Sequence, residues 1–360
     1  MPTPLKTDFN TTITQCPLFA NNENMGWDQA DQYLLNYLAE KKPPLQTLSI
    51  IEDRYGALSQ QLIKFRPRIF TDSATNRTWI EKNINHQLKV DTIDQLSLHQ
   101  CETYLLKLPK NLDYFRLIIA SINIEKGCFF ISGMQKYWSS GFFQAVYDKF
   151  SDITVLPAVK KAKIIICRNK KLRPKTPVKQ SYCYKGIECI NLANVFSAKK
   201  IDMGTRFMLD NLPTISHFSK GLDLGCGNGV LGTFALKNGV KKMIFLDDSH
   251  QAILSTQATI IANNIDQHRI RLIHANNLML IKDSIDFILC NPPFHTQHQI
   301  SINIAINMFH ESQKTLKHGG VIYVIFNRHL PYMKPLKQLF ASVHLIAENH
   351  KFRLVVARKE

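Results

Sequence analysis

No stretch of the chain holds the roughly 18 consecutive apolar residues that a bilayer-spanning helix needs. Its first residues, Met1-Pro2-Thr3-Pro4-Leu5-Lys6, offer neither the basic start nor the apolar run of a secretory leader, so a cytoplasmic setting is expected. The eight cysteines contain no C-x-x-C pair, and Cys167 closes the apolar run Ile164-Ile165-Ile166. Reduced, packing thiols are therefore expected, with no disulfide framework and no metal site. Acid is scarce as well: 28 Asp and Glu stand against 45 Lys and Arg, a formal charge of +17. That excess points to a polyanion such as nucleic acid as partner. With 45% apolar and 20% charged residues the chain is not a mostly disordered one, and 360 residues suffice for two domains. A monomer is expected.

The basic residues cluster. Nine of them and no acid lie between Lys160 and Lys179. Pro174 and Pro177 in that stretch suit an interdomain linker. The density of cations suits a phosphate-binding strip, which gains affinity by releasing counterions, and the basic balance of the whole chain favours it. Lys160, Lys161 and Lys163 are thereby candidate substrate contacts.

The two halves resemble each other, as a duplication would make them. Leu48 to Leu58 can be laid over Gly221 to Leu231 at an offset of 173. Phe70-Thr71-Asp72 matches Phe245-Leu246-Asp247 at 175, and Tyr104 to Pro109 matches Phe287 to Pro292 at 183. Lys161 to Ile166 meets Lys351 to Val356 at 190. Short apolar runs alternate with longer helix-like segments in both halves, the pattern of an α/β fold with parallel strands and crossover helices. This predicts two tandem Rossmann-like domains, residues 1–175 and 176–360. The first copy has Ile50, Glu52 and Arg54 where the second has Asp223, Gly225 and Gly227, and Leu108 and Lys110 in place of Asn291 and Pro293. Side chains at glycine positions block close backbone approach, so the N-terminal copy is expected to be degenerate and the working site to lie in the second.

In the second half, Ile302, Ala305, Ile306 and Phe309 form a helical stripe, followed by Gly319-Gly320 as a stop signal. Val321 to Phe326 reads as a buried strand. Val343 to Ala347 and Phe352 to Ala357 are so close that they must form an antiparallel hairpin.

Asp223-Leu224-Gly225-Cys226-Gly227-Asn228-Gly229 follows an apolar run and opens a helix, which places a glycine turn at the carboxyl edge of the sheet. The dinucleotide fingerprint would need a glycine at 230, where Val230 stands. The spacing G-x-G-x-G instead lets backbone approach a nucleoside without phosphates, and Asp223 can accept from a cationic ammonium group. These are the demands of S-adenosylmethionine. Cofactor binding is assigned to Asp223, Gly225, Cys226, Gly227, Asn228 and Gly229, the Cys226 side chain itself serving packing. Asp247, at the end of the next strand, is the candidate for the ribose hydroxyls, and Asn276, after the one following, for the adenine edge.

After the strand Ile285 to Cys290 comes Asn291-Pro292-Pro293-Phe294, then His295. A planar nitrogen conjugated to a π system is a poor nucleophile. Two acceptors aimed at its N–H bonds draw it toward tetrahedral geometry and stabilise the developing charge. Asn291 Oδ1 and the Pro292 carbonyl can be those acceptors, Pro292 and Pro293 fix the backbone, and Phe294 can stack on a planar base. These four residues are the catalytic candidates, and His295 is a candidate substrate contact.

Together, Asp223 to Gly229 and Asn291 to Phe294 resemble the class I amino methyltransferases. The extension through His295, joined to a degenerate N-terminal duplicate, is similar to the ribosomal RNA guanine exocyclic-amine methyltransferases of the RlmG/RsmC group. Asn194-Val195-Phe196-Ser197 and Asp202-Met203-Gly204-Thr205-Arg206 are similar to that group's segment that closes over the cofactor. Asn327 to Tyr332, Asn349 to Phe352, Trp27 to Leu35 and Tyr55 to Ser59 look closer to its large-subunit (RlmG-like) branch. The resemblance implies methyl transfer from S-adenosylmethionine to the N2 amine of a guanine in 23S ribosomal RNA, with the first domain helping to bind RNA. Arg206, Arg328 and His329 join the candidate substrate contacts. A 16S-specific sister enzyme, a protein glutamine-amide methyltransferase, a DNA adenine methyltransferase and a non-catalytic RNA assembly factor are the competing readings. The basic cluster and the intact second motif set argue against the protein-directed and non-catalytic ones.

Overall fold

The structure, a computed structural model, describes residues 27–85, 87–124, 127–171, 179–293 and 298–360, without the side chains of 298–301. Contacts divide the chain into two units, Met1–Pro177 and Val178–Glu360.

The first unit runs α1 (Gln29–Lys41), β1 (Leu48–Ile51), α2 (Ala57–Gln61), β2 (Arg68–Phe70), α3 (Ala74–Asn83), β3 (Val90–Asp91), β4 (Thr103–Lys107), α4 (Leu112–Ser121), β5 (Cys128–Met134), α5 (Ser140–Lys149), β6 (Phe150–Val155) and β7 (Ala162–Lys170). The second opens with a separate hairpin, β8 (Gln180–Tyr184) and β9 (Ile187–Asn191). It continues with α6 (Met203–Asn211), β10 (Lys220–Leu224), α7 (Val230–Lys237), β11 (Lys242–Asp247), α8 (His250–Ala262), β12 (Ile270–His274), β13 (Ile285–Cys290), α9 (His298–Thr315), β14 (Leu316–Asn327), α10 (Met333–Leu339), β15 (Ser342–Glu348) and β16 (Phe352–Arg358).

The sheets share one topology: β3-β2-β1-β4-β5-β7-β6 in the first unit and β12-β11-β10-β13-β14-β16-β15 in the second. Neighbours pair parallel except at the last two strands of each order, which run antiparallel. Each unit is thus a doubly wound α/β domain with a terminal hairpin, as the repeat predicts. Central strand β13 is buried along its whole length, because helices cover both faces of a parallel sheet. Phe245, Phe287 and Leu289 pack on one side with α7 and α8, while Ile288, Ala305 and Phe309 pack on the other. The predicted stripe of α9 therefore buries Ala305 and Phe309 fully.

Strand registers sharpen the duplication. Ile51 pairs with Phe70 and Leu106, and Leu224 pairs with Leu246 and Cys290. Ile51 therefore corresponds to Leu224, at the predicted offset. Ile165 corresponds to Val355, also as predicted, since they face Ile131 and Val324. Phe70, however, corresponds to Leu246, and Leu106 to Cys290, one residue away from the sequence match in each case. The counterpart of Asn291 is consequently Lys107, not Leu108.

Among the described residues the basic stretch is in large part strand rather than a linker or one continuous strip. Ala162–Lys170 is strand β7, inside the sheet of the first unit. Arg168 pairs with Asp152 at 3.6 Å, Lys170 Nζ donates to the carbonyls of Ala120 and Ile122 at the end of α4, and Lys171 Nζ donates to Tyr147 O. Arg173 and Lys175 lie outside the described residues. Lys160 and Lys161 stand exposed in the turn into β7, and half-buried Lys163 sits 5.0 Å from the Phe143 ring centroid.

Candidate active site

At the carboxyl end of β10 the chain turns through Gly225, Gly227 and Gly229 with φ of +73°, +57° and +75°. The three serve different ends. A Cβ on Gly227 would meet nothing within 4 Å, and one on Gly225 only Met308 Cε at 3.6 Å, so these two leave an open cradle at the strand end. A Cβ on Gly229 would lie 2.7 Å from Thr256 Cγ2, so this glycine lets α7 start close against α8. Asp247 braces the loop, its Oδ2 accepting from Gly227 N at 2.9 Å and its Oδ1 from Ser249 N at 2.8 Å.

Asp223 is buried below the loop. Its Oδ2 accepts from Gly232 N at 2.8 Å, and its Oδ1 is buried without a partner. Burial pushes its carboxyl up to about 8, with the Gly232 bond opposing the rise and the Asp247 charge adding to it. A buried acid with one open oxygen suits a cationic ligand group, whose charge would favour the ionised form. An open glycine cradle and an unpartnered acid beneath it fit the nucleoside and ammonium ends of S-adenosylmethionine.

Other members of the motif bond within the protein itself. Asn228 Nδ2 donates to Tyr182 OH and to Asn191 Oδ1, both at 2.9 Å, and its Oδ1 accepts from Val230 N. Its side chain thus ties the loop to the β8–β9 hairpin. The hairpin itself is held on α8, where Ile190 N and Leu192 N donate to Thr259 Oγ1 and Ser255 Oγ. Cys226 is buried with Sγ 3.3 Å from Thr256 Oγ1, so only its backbone belongs to the loop. Asn276 is exposed beyond β12, its Oδ1 accepting from Asn277 Nδ2.

Asn291 follows β13, whose Cys290 is in register with Leu224, so the amide emerges beside Gly225. Its Nδ2 donates to Asp202 Oδ2 at 3.1 Å and to Thr205 Oγ1 at 2.8 Å. A carboxylate can only accept, so this pairing dictates the orientation of the amide. Asn291 Oδ1 is left buried and without a partner. Asp202 is itself placed by capping α6, its Oδ2 accepting from Thr205 N at 2.9 Å. Sequence reasoning picked out Asp202 and Thr205 as part of a closing segment and missed their bond to Asn291. Pro292 is buried and Pro293 exposed, while Phe294 and His295 lie outside the described residues.

The remaining predicted contacts are scattered along the surface of the second unit. Arg206 is exposed on α6 and lies 3.7 Å from Asp210. Arg328 and His329 are exposed after β14, with Arg328 3.4 Å from Glu348. Among the described residues no cluster of metal-ligating side chains occurs and no helix is long and apolar enough to cross a membrane.

The first unit shows how such a site is closed. Glu52 replaces Gly225 and keeps a positive φ of +57°, but its carboxylate fills the cradle, accepting from Tyr114 OH at 2.7 Å and Asp72 N at 2.9 Å. Lys107 replaces Asn291, and its ammonium bonds Asp31 and, at 3.0 Å, Asp28, the residues that correspond to Thr205 and Asp202 at the start of the preceding helix. Gly56, at the place of Gly229, keeps its φ of +73° because a Cβ there would collide with Ile84. The packing glycine survives, while the cradle and the free acceptor do not.

Comparison with known proteins agrees with this division. Residues 3–171 match the family model "RLMG N-terminal domain", and residues 186–356 match "Methyltransferase small domain". The chain is 32% identical to the ribosomal RNA large subunit methyltransferase G of Shewanella sp. (strain ANA-3), covering 99% of this chain and all of that one. It is 32% identical to the protein of the same name from Streptomyces coelicolor, covering 93% and 94%. The solved structure of the T. thermophilus 16S rRNA N2 G1207 methyltransferase RsmC, in complex with AdoMet and guanosine, superposes with a TM-score of 0.76 at 17% identity over 93% of both chains and shares the two-domain fold. This chain belongs to the ribosomal RNA large subunit methyltransferase G family.

Proposed function

We propose that the second unit transfers a methyl group from S-adenosylmethionine to the exocyclic N2 amine of a guanine in 23S ribosomal RNA, in the cytoplasm. The observation that carries this reading is the buried, unpartnered Asn291 Oδ1, held beside the glycine cradle by the bonds of its Nδ2 to Asp202 and Thr205. A buried acceptor left unsatisfied costs about 1–3 kcal/mol, and an incoming N–H donor relieves that cost. The guanine amine brings two N–H bonds, which Asn291 Oδ1 and the Pro292 carbonyl accept as the nitrogen pyramidalises and gains positive charge. When bound, the cofactor supplies an electrophilic methyl group on a sulfonium. The cradle of Gly225 and Gly227, with Asp223 below, would hold it beside Asn291, so that positioning would provide most of the rate.

The large-subunit target is supported by the relatives of that name, about twice as identical to this chain as the 16S enzyme. The target base must be flipped out or already unpaired to reach Asn291. The test compares labelled methyl transfer into protein-free 23S RNA, 16S RNA and assembled subunits from cells lacking this protein, with the product nucleoside mapped. Label as N2-methylguanosine in 23S RNA is expected. Label confined to 16S RNA would select the sister activity, and absence of label from all RNA would overturn the reading.

A further inference from the structure

Adenine, cytosine and guanine all carry an exocyclic amine, so two acceptors aimed at an amine do not by themselves choose among them. The bases differ beside the amine. In guanine the ring nitrogen next to N2 bears a hydrogen, whereas adenine N1 and cytosine N3, next to their amines, bear a lone pair. A group that reads this neighbouring atom selects the base. It has to stand next to Asn291, and it has to accept without donating.

Asp202 meets both conditions. Its Oδ2 lies 3.1 Å from Asn291 Nδ2 and also accepts from Thr205 N at 2.9 Å, which fixes the carboxylate against the start of α6. Its Oδ1 bonds to nothing among the described residues, and no lysine, arginine or histidine among them pairs with the group. The side chain is half-buried. A carboxylate with one open oxygen and no cation thus adjoins the open Oδ1 of Asn291.

The duplicate shows the same corner with its charge cancelled. Asp28 caps α1 as Asp202 caps α6. Lys107, in the place of Asn291, brings its ammonium to Asp31 and, at 3.0 Å, to Asp28. There the protein supplies its own donor. In the second unit the neutral amide of Asn291 leaves the Asp202 charge to be met by what enters.

We propose that Asp202 selects guanine, its Oδ1 accepting from the base N1–H while Asn291 Oδ1 accepts from the adjoining N2–H. These two N–H bonds run parallel on neighbouring atoms of one base edge, and the bond between Asn291 Nδ2 and Asp202 brings the two acceptors together to meet them. A carboxylate has no hydrogen to offer. Adenine and cytosine would therefore turn a lone pair toward it, and that repulsion excludes them as the hydrogen bond admits guanine. The proposal deepens the proposed reaction and rests on its guanine substrate: beyond orienting Asn291, Asp202 touches the base itself.

The test measures single-turnover transfer of labelled methyl from S-adenosylmethionine to 23S RNA carrying either guanine or 2-aminopurine at the mapped target position. The analogue keeps the amine that is methylated and has a lone pair at N1 in place of the hydrogen. The parent protein is expected to prefer guanine by about 10²-fold, as the loss of a hydrogen bond to a charged group implies. Asp202→Asn, whose amide can donate to that lone pair and still cap α6, is expected to shrink the preference by about tenfold or more. Equal rates of the parent on the two bases overturn the selection alone. A preference unchanged in Asp202→Asn also overturns it, since a residue that only positions Asn291 lowers both rates by one factor. If the cofactor dissociation constant of that variant rises in proportion as well, the carboxylate belongs to the cofactor instead. A parent that labels no guanine overturns the reaction, and the selection with it.

Discussion

The Asn291 amide donates to the Asp202 carboxylate at 3.1 Å, and that bond leaves Oδ1 as the unpartnered end of the amide. Asparagine at 202 would still cap α6, since Asn and Asp are equally good N-caps. It would, however, offer a donor as well as an acceptor, and the Asn291 amide could then turn its oxygen away. Asp202→Asn is expected to lower kcat by about 10²-fold, as small misplacements of a reacting group do, with thermal stability and cofactor affinity unchanged. A parallel loss of stability would instead make Asp202 a structural residue only.

Glycine substitutions should separate binding from packing. Gly227→Ala adds a methyl group that meets no protein atom, at a cost of about 1–2 kcal/mol for the left-handed backbone, and should weaken cofactor binding most. Gly229→Ala carries the same backbone cost and drives its Cβ to 2.7 Å from Thr256, adding roughly 1–3 kcal/mol. Calorimetric unfolding together with cofactor titration checks the contrast: Gly229→Ala should lose more in Tm, Gly227→Ala more in affinity.

Much of this site can be read in the sequence, and the parts that cannot have physical causes. The glycine turn, Asn291, α9 and the β15–β16 hairpin each follow from local spacing. The registers of β4 and β13 do not, because Thr103 to Leu106 and the whole of β13 are buried on both faces. Without alternation nothing in a strand marks which residue faces which way, and a one-residue slip costs the pattern nothing. That slip concealed Lys107 as the counterpart of Asn291. The surroundings of the basic stretch are hidden for a related reason: Lys163, Arg168 and Lys170 sit in a strand whose apolar half is Ile164 to Cys167, and their side chains meet partners 16 to 50 residues away or an aromatic ring. The bonds of Asn228 to Tyr182 and Asn191 span 46 and 37 residues, beyond what spacing can reveal.

Cofactor affinity should depend on pH through Asp223. Its carboxyl, raised to about 8 by burial, is protonated at neutral pH without ligand, and pairing with a cation requires it to lose that proton. Affinity should therefore rise with pH, by up to about tenfold per unit between pH 6 and 7.5. In the unliganded protein the sign is opposite. A folded value above the unfolded 3.8 gives stability that is present at low pH and lost as pH climbs toward 8. Isothermal titration across this range checks the dependence, and Asp223→Asn should bind more weakly and with a flat profile.

In the first unit, the Lys107 ammonium is 15% exposed and compensates Asp31, whose carboxylate is 2% exposed. Lys107→Ala should destabilise the protein by about 3–5 kcal/mol, because it leaves Asp31 buried and unpaired. Replacing both members, Lys107→Met with Asp31→Leu, should restore most of that loss. Thermal unfolding of the two variants checks this, and equal stability of Lys107→Ala and the parent would deny the pair that role.

The most direct measurement is single-turnover methyl transfer to the RNA substrate by Asn291→Ala, alongside its cofactor dissociation constant. If Asn291 Oδ1 is the acceptor for the guanine amine, transfer should fall by at least 10²–10³-fold, as on removing a preorganised charge-stabilising group, with cofactor binding nearly intact. Loss of cofactor binding in proportion to the rate, or a rate close to the parent's, would contradict it.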